Sequence, residues 1–103
     1  MIANTQRVDL IEADKQICLY CPIGKDYYTA VVTIKFIPNE HYMDYINLDN
    51  YLNRLSGLSL TIEDAVRDIY DELQSYKPSK TKVAIEAFSN THLHVKVTKG
   101  DDI

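Results

Sequence analysis

Polar and apolar residues alternate with a period of two in the first and last thirds of the chain, and with a period near 3.6 in the middle. From Ala30 to Ile37, Ala30, Val32, Ile34 and Phe36 share one parity while Thr33 and Lys35 take the other, which predicts a half-buried strand. Pro38 and Asn39 end it. Ile17 to Tyr20 reads as a shorter strand, closed by Pro22 and the turn signal Gly24-Lys25-Asp26, and near enough in sequence to pair with the first as a hairpin. In the middle, Leu48, Tyr51, Leu52 and Leu55 at three- and four-residue spacing predict a helix over Asn47 to Leu55, capped by Asn47 or Asp49 and stopped at Gly57. A second helix starts at Thr61, a good N-cap with Asp64 three residues on. Its apolar stripe is Ile62, Ala65, Val66, Ile69 and Leu73, and Pro78 lies beyond its end. Period two then returns: Val83, Ile85 and Ala87 alternate with Lys82, Ala84, Glu86 and Phe88, and Leu93, Val95 and Val97 with His92, His94, Lys96 and Thr98. Ser89-Asn90-Thr91 supplies the turn between them. The order ββααββ predicts an α+β fold, a four-stranded antiparallel sheet with two helices on one face. Residues Lys99 to Ile103 are expected to fray.

Composition narrows the class. A chain of 103 residues fits one domain spanning residues 1–103, and 46% apolar with 25% charged residues is the balance of a folded globular protein. So short a chain buries only about two thirds of its unfolded surface, so pairing with copies of itself would add stability. No apolar run approaches the ~20 residues of a membrane-crossing helix. Arg7, Asp9, Glu12 and Asp14 interrupt the start of the chain, unlike a secretory signal, and two cysteines then point to reduced thiols in a cytoplasmic setting. Net charge is −4, which does not attract nucleic acid to the molecule as a whole. The charge is segregated, however. Pro38 to Tyr76 holds eight acids against Arg54 and Arg67, a balance of −6, while Lys77 to Lys99 holds five lysines against Glu86, a balance of +4. These are either two solvated faces of opposite sign or a basic C-terminal hairpin suited to phosphates.

Few residues offer chemistry. Cys21 ends a strand just before Pro22 and a glycine-containing loop, where neighbouring amides and Lys25 favour the thiolate; the competing reading is a small buried apolar residue. Cys18 and Cys21 form a CxxC, but side chains three apart on a strand point to opposite faces, so a metal site is not expected; a regulatory disulfide is the harder alternative to dismiss, though the same opposition gives it poor geometry. Glu63, in the first turn of the stronger helix, is either an acid favoured by the helix dipole or a carboxylate accepting two parallel hydrogen bonds from a heterocycle. His92 and His94 share a strand face with Lys96, as solvated residues or as a wall facing a ligand.

Cys21-Pro22-Ile23 running into a strand, with Ile62-Glu63-Asp64 opening the second helix, resembles the QueF and QueF-like family, which acts on the nitrile of 7-cyano-7-deazaguanine and has the tunnelling fold. The resemblance spans roughly Ile17 to Thr98 as scattered matches. It implies that Cys21 attacks the nitrile carbon to form a thioimide and that Glu63 holds the guanine-like edge of the base. The family's acid a few residues after the cysteine falls on Tyr28 in ungapped register, with Asp26 the nearest carboxyl group. The family's histidine before the glutamate is Ile62 here, leaving His92 and His94 as candidates for its role in holding substrate. The reductases' lysine-bearing NADPH segment corresponds to Asp44-Tyr45-Ile46-Asn47-Leu48-Asp49, without a lysine and with Asp49 set against phosphate. The resemblance therefore implies the shorter, QueF-like branch: an amidinotransferase of the archaeosine type, adding ammonia as co-substrate to the thioimide, with no other cofactor, on a base carried in tRNA, with DNA or the free base as the alternatives. The alternatives are an NADPH-dependent nitrile reductase and a non-catalytic purine-binding oligomer. The same relatives imply a ring-shaped homo-oligomer with sites between subunits.

Overall fold

The computed structural model describes residues 1–88 and 93–103. A long hairpin forms its centre: β2 (Ile11–Cys21) runs antiparallel to β3 (Asp26–Ile37), paired from Ile11 opposite Phe36 to Cys21 opposite Asp26. The second half of the sheet is β5 (Lys80–Phe88) and β6 (Val95–Gly100), giving the order β2-β3-β5-β6 with every neighbour antiparallel. Two short strands, β1 (Ile2–Ala3) and β4 (His41–Tyr42), form a separate ladder that the sequence pattern does not announce. Between β4 and β5 lie α1 (Tyr45–Leu55), packed on β2, and α2 (Ile62–Gln74), packed on β5 and β6. This is the expected α+β arrangement, with the core between sheet and helices: Leu19, Val32, Ile34, Val83 and Ile85 from the strands meet Leu52, Val66, Ile69 and Leu73 from the helices. No helix among the described residues is long and apolar enough to cross a membrane.

Several boundaries depart from expectation; β3, for one, starts at Asp26, four residues before Ala30. β2 begins at Ile11, six residues before Ile17, because Glu12, Asp14 and Gln16 face solvent while Ala13 and Lys15 are only half-buried, which mutes the alternation. α1 begins at Tyr45 and is capped by Asp44, whose carboxylate accepts from the N–H groups of Ile46 (2.7 Å) and Asn47 (3.4 Å); Asn47 and Asp49 are inside the helix. Lys99 and Gly100, expected to fray, belong to β6. Asp101 then brackets Thr81, donating its N–H to the Thr81 carbonyl (2.7 Å) and accepting the Thr81 N–H on Oδ2 (3.0 Å). β6 itself starts at Val95; Leu93 precedes it, exposed. The expected Ser89-Asn90-Thr91 turn and His92 lie outside the described residues. The second helix matches expectation: Thr61 Oγ1 accepts the Asp64 N–H at 3.2 Å, and Ala65, Val66, Ile69 and Leu73 are buried.

Candidate active site

The hairpin turn places the first functional group. Cys21, the last residue of β2, shares parity with buried Ile17 and Leu19, so its side chain lies on the helix-bearing face, while exposed Cys18 lies on the other. The chain returns through Pro22 to Lys25, with the Lys25 N–H bonded to the Cys21 carbonyl at 2.8 Å and Lys25 at φ 55°. That tight return aims the Gly24 N–H at Cys21 Sγ, 3.4 Å away. The two cysteines are free, as their opposed parity requires.

The second group is brought in by the segment linking the helices. Ser56 to Leu60 lies along the outer edge of β2: the Gly57 N–H bonds the Cys18 carbonyl (2.7 Å), the Tyr20 N–H the Leu58 carbonyl (3.0 Å), and the Leu60 N–H the Tyr20 carbonyl (3.0 Å). Gly57, at φ 88°, both ends α1 and starts this strap. From Leu60 the chain passes directly to the Thr61 cap and the first turn of α2, so Glu63 arrives beside the hairpin turn. Tyr28 locks the junction from below, its hydroxyl donating to the Leu60 carbonyl at 2.7 Å. Burial, together with the nearby negative charges of Cys21 and Glu63, pushes the Tyr28 hydroxyl up to about 12.

These residues surround one cavity of about 310 Å³. Cys21, Asp26 and Tyr28 line it from the hairpin, Ile62 and Glu63 from α2, and Ala87 and Val95 from the far strands. Asp26 is exposed at its rim, with Oδ1 accepting the N–H of Tyr27 at 2.8 Å. Ile23 and Leu93 form an apolar lip, 82% and 83% exposed. Sequence reasoning missed this lip, although the shared parity of Leu93, Val95 and Val97 carried the signal. The cavity thus combines a thiol with a donor on its sulfur, an acceptor carboxylate at a helix N-terminus, and a carboxyl group at the opening. That set can bind a planar heterocycle with adjacent N–H donors and present a nucleophile to an electrophilic carbon. A larger depression of about 710 Å³ at the other end of the sheet mixes Arg7 and Lys77 with Asp9 and Glu40, and holds no comparable nucleophile.

His94 does not join the site. Its Nε2 lies 2.9 Å from Glu86 Oε2 and its ring stacks on Phe88 with centroids 4.5 Å apart, on the face of the sheet away from the helices. Parity explains this, since His94 falls in step with Lys96 and out of step with Val95. His92 lies outside the described residues. No cluster of three or more metal-ligating side chains occurs among the described residues.

No protein-family model matches the sequence, and no curated protein does so either. In three dimensions the chain is similar to the crystal structure of the archaeosine synthase QueF-like in the apo form, with a TM-score of 0.83, covering 90% of this chain and 93% of that one at 17% identity. At that identity the likeness establishes the fold alone: the α+β arrangement expected from the order of elements, in the tunnelling form that the family resemblance implied.

Proposed function

We propose that this chain is a QueF-like enzyme that converts the nitrile of a 7-cyano-7-deazaguanine base, carried in tRNA, into an amidine. The observation that carries the reading is the meeting of Cys21 and Glu63 in one cavity, from elements 42 residues apart in sequence, on a fold shared with an archaeosine synthase. Glu63 accepts the ring N–H and exocyclic amine of the base, a paired arrangement that fixes its orientation. Cys21 sulfur adds to the nitrile carbon as one π bond of C≡N opens, and the nitrogen takes a proton, giving a thioimide. Asp26, at the mouth of the cavity, relays to that nitrogen the proton that the Cys21 thiol gives up. Tyr28 retains its own proton at neutral pH and spends it on the Leu60 carbonyl, so it acts as a positioning residue for the Glu63 turn. Ammonia then attacks the thioimide carbon, the C–S bond breaks, and a proton passes from nitrogen to sulfur, leaving the amidine and the free thiol. No electrons are gained or lost, so the sequence of steps requires no nicotinamide.

The segment that would meet NADPH phosphates in a reductase supports this choice. Asp44 is occupied as the α1 cap, and Asp49 bonds Lys15, so two carboxylates stand there. The exposed lip of Ile23 and Leu93 supports completion of each site by a second copy of the chain in a closed ring. The test is intact mass after incubation with 7-cyano-7-deazaguanine, or with tRNA carrying it, for the wild type and Cys21→Ala. A whole-ligand gain in the wild type alone, discharged by ammonium, is the expected result. Discharge by NADPH instead selects reduction, and absence of any adduct from both substrates overturns the covalent reading.

A further inference from the structure

A depression of about 710 Å³ lies at the end of the sheet opposite Cys21, where the start of the chain, the β3–β4 connection and the α2–β5 connection meet. Asp26 to Ile37 along β3 is eleven steps, about 36 Å at ~3.3 Å per residue, so the depression stands well clear of the Cys21 cavity and of its apolar lip. Its walls are bonded to one another. Asn4 ties the first segment to the second, its N–H donating to the Glu40 carbonyl (2.8 Å) and its Nδ2 to the Asn39 carbonyl (3.0 Å). Asn39 Nδ2 in turn donates to the Lys77 carbonyl (2.9 Å), tying the second to the third. Walls held in this way are formed before a ligand arrives, which lowers the cost of binding one. The charged side chains are not spent on one another. Arg7 and Lys77 face the depression beside Asp9 and Glu40, yet none of the four makes an ion pair among the described residues. Both cations also sit on a left-handed backbone, at φ 52° each; the one other non-glycine residue described in that conformation is Lys25, in the Cys21 turn. Lys77 is where the chain turns away from α2, its N–H bonded to the Gln74 carbonyl (3.0 Å), a place that glycine fills without strain. Strain of this kind gathers where side chains are held for a ligand.

We propose that this depression is a second binding site, for a nucleoside phosphate. Arg7 and Lys77 donate charge-assisted hydrogen bonds to the phosphate oxygens. Tyr76, packed on the core, gives the base an aromatic wall, with Pro38 beside it. Asp9 and Glu40 accept from the ribose hydroxyls or an exocyclic amine. The mixture of signs is what selects this class: a nucleotide is anionic at one end and rich in donors along the rest, whereas a bare oxyanion gains from the two cations and is opposed by the two carboxylates. The volume falls within the roughly 300–1,000 Å³ of pockets that enclose ligands of this size, and exceeds what a single zwitterionic amino acid fills. The inference does not rest on the Cys21 reaction; it gives a different part of the molecule a ligand of its own.

The test is titration calorimetry with AMP, GMP, CMP and UMP, for the wild type, Arg7→Gly and Lys77→Gly. Saturable binding of at least one of the four is expected, weakened about tenfold in each variant by loss of a charged donor. Glycine relieves the left-handed backbone, so both variants should melt close to the wild type, which separates loss of ligand from loss of fold. Should either melt well below it, Arg7→Gln and Lys77→Gln, which keep the side-chain stem, take its place. Cys21→Ala and Glu63→Gln should bind the nucleotide as the wild type does; weaker binding in either puts the nucleotide in the Cys21 cavity and overturns the proposal. No saturable binding of any of the four, wild-type affinity in both cation variants, or equally tight binding of inorganic phosphate overturns it as well. A single-stranded trinucleotide that binds more tightly than the mononucleotide assigns the site to a nucleotide within a chain, and one that binds no more tightly assigns it to a free nucleotide; the site stands in both cases. It stands too if no Cys21 adduct ever forms, so the two readings fail separately.

Discussion

The Tyr28 hydroxyl is committed to a backbone carbonyl, and Tyr51 repeats the device between the helices by donating to the Asp68 carbonyl at 3.1 Å. Both hydroxyls are pushed up to about 12, Tyr28 chiefly by burial and then by the charges of Cys21 and Glu63, Tyr51 chiefly by burial and then by Glu72 and Asp68. An unfolded tyrosine ionises near 10, so above that pH the unfolded chain releases protons that the folded one keeps, and stability falls as pH rises from about 10 to about 12. Urea unfolding across that window should show the decline, and Tyr28→Phe and Tyr51→Phe should each flatten it. Cys21 and Glu63 were legible in the sequence because each stands at a marked place, a strand end before proline and the first turn after a capping threonine. The anchoring task of Tyr28 was not, since its partner is a main-chain oxygen 32 residues away that no side-chain pattern announces. His94 was legible in principle: its parity alone assigns it to the Lys96 face.

Each helix begins at a side-chain cap, but only one cap bears on the cavity. Thr61→Ala removes the acceptor for the Asp64 N–H and should cost about 1 kcal/mol. In a domain of this size that is a fall in Tm of roughly 4–8 °C. Asp44→Ala should cost a similar amount by releasing Ile46 and Asn47. Only Thr61→Ala should also slow formation of the Cys21 adduct, because it loosens the turn that carries Glu63; thermal melts beside timed mass spectra separate the two effects. Elements with a local signal were readable, as α2 was from its cap and stripe and β3 from its strict alternation. The missed half of β2 is defined by its partner strand, with solvent-facing charges hiding its period. The end of β6 depends on an equally distant contact. Gly100, at φ 118°, sits where any side chain would run into the Thr81 carbonyl, and Asp101 bonds Thr81 on both sides of that peptide.

For the molecule as a whole, the order of elements was enough to anticipate the fold, while the apolar lip emerged only when the hairpin turn and the start of β6 were seen together. Replacing Ile23 and Leu93 together by Asp should leave the melting temperature close to that of the wild type, since both side chains are exposed, but should break the ring proposed above. Sedimentation velocity at equal concentration would show the smaller species; an unchanged coefficient would place the subunit contact elsewhere. The cavity's two walls also differ in how far apart along the chain their contacts lie. The thiol wall is a hairpin whose flanking residues, Cys21 and Asp26, are five apart, whereas the strap that delivers Glu63 joins Gly57 to Cys18 across 39 residues. Short loops close far sooner than long ones and lose less chain entropy in doing so. During folding the Cys21 loop is therefore in place before the turn that carries Glu63. On partial opening, the carboxylate wall leaves first, and amide exchange at Gly57 and Leu60 should outpace exchange at Lys25. Under the proposed reaction, a partly opened chain thus carries a formed thiol loop without its carboxylate wall, so discrimination among electrophiles should be lost before reactivity is.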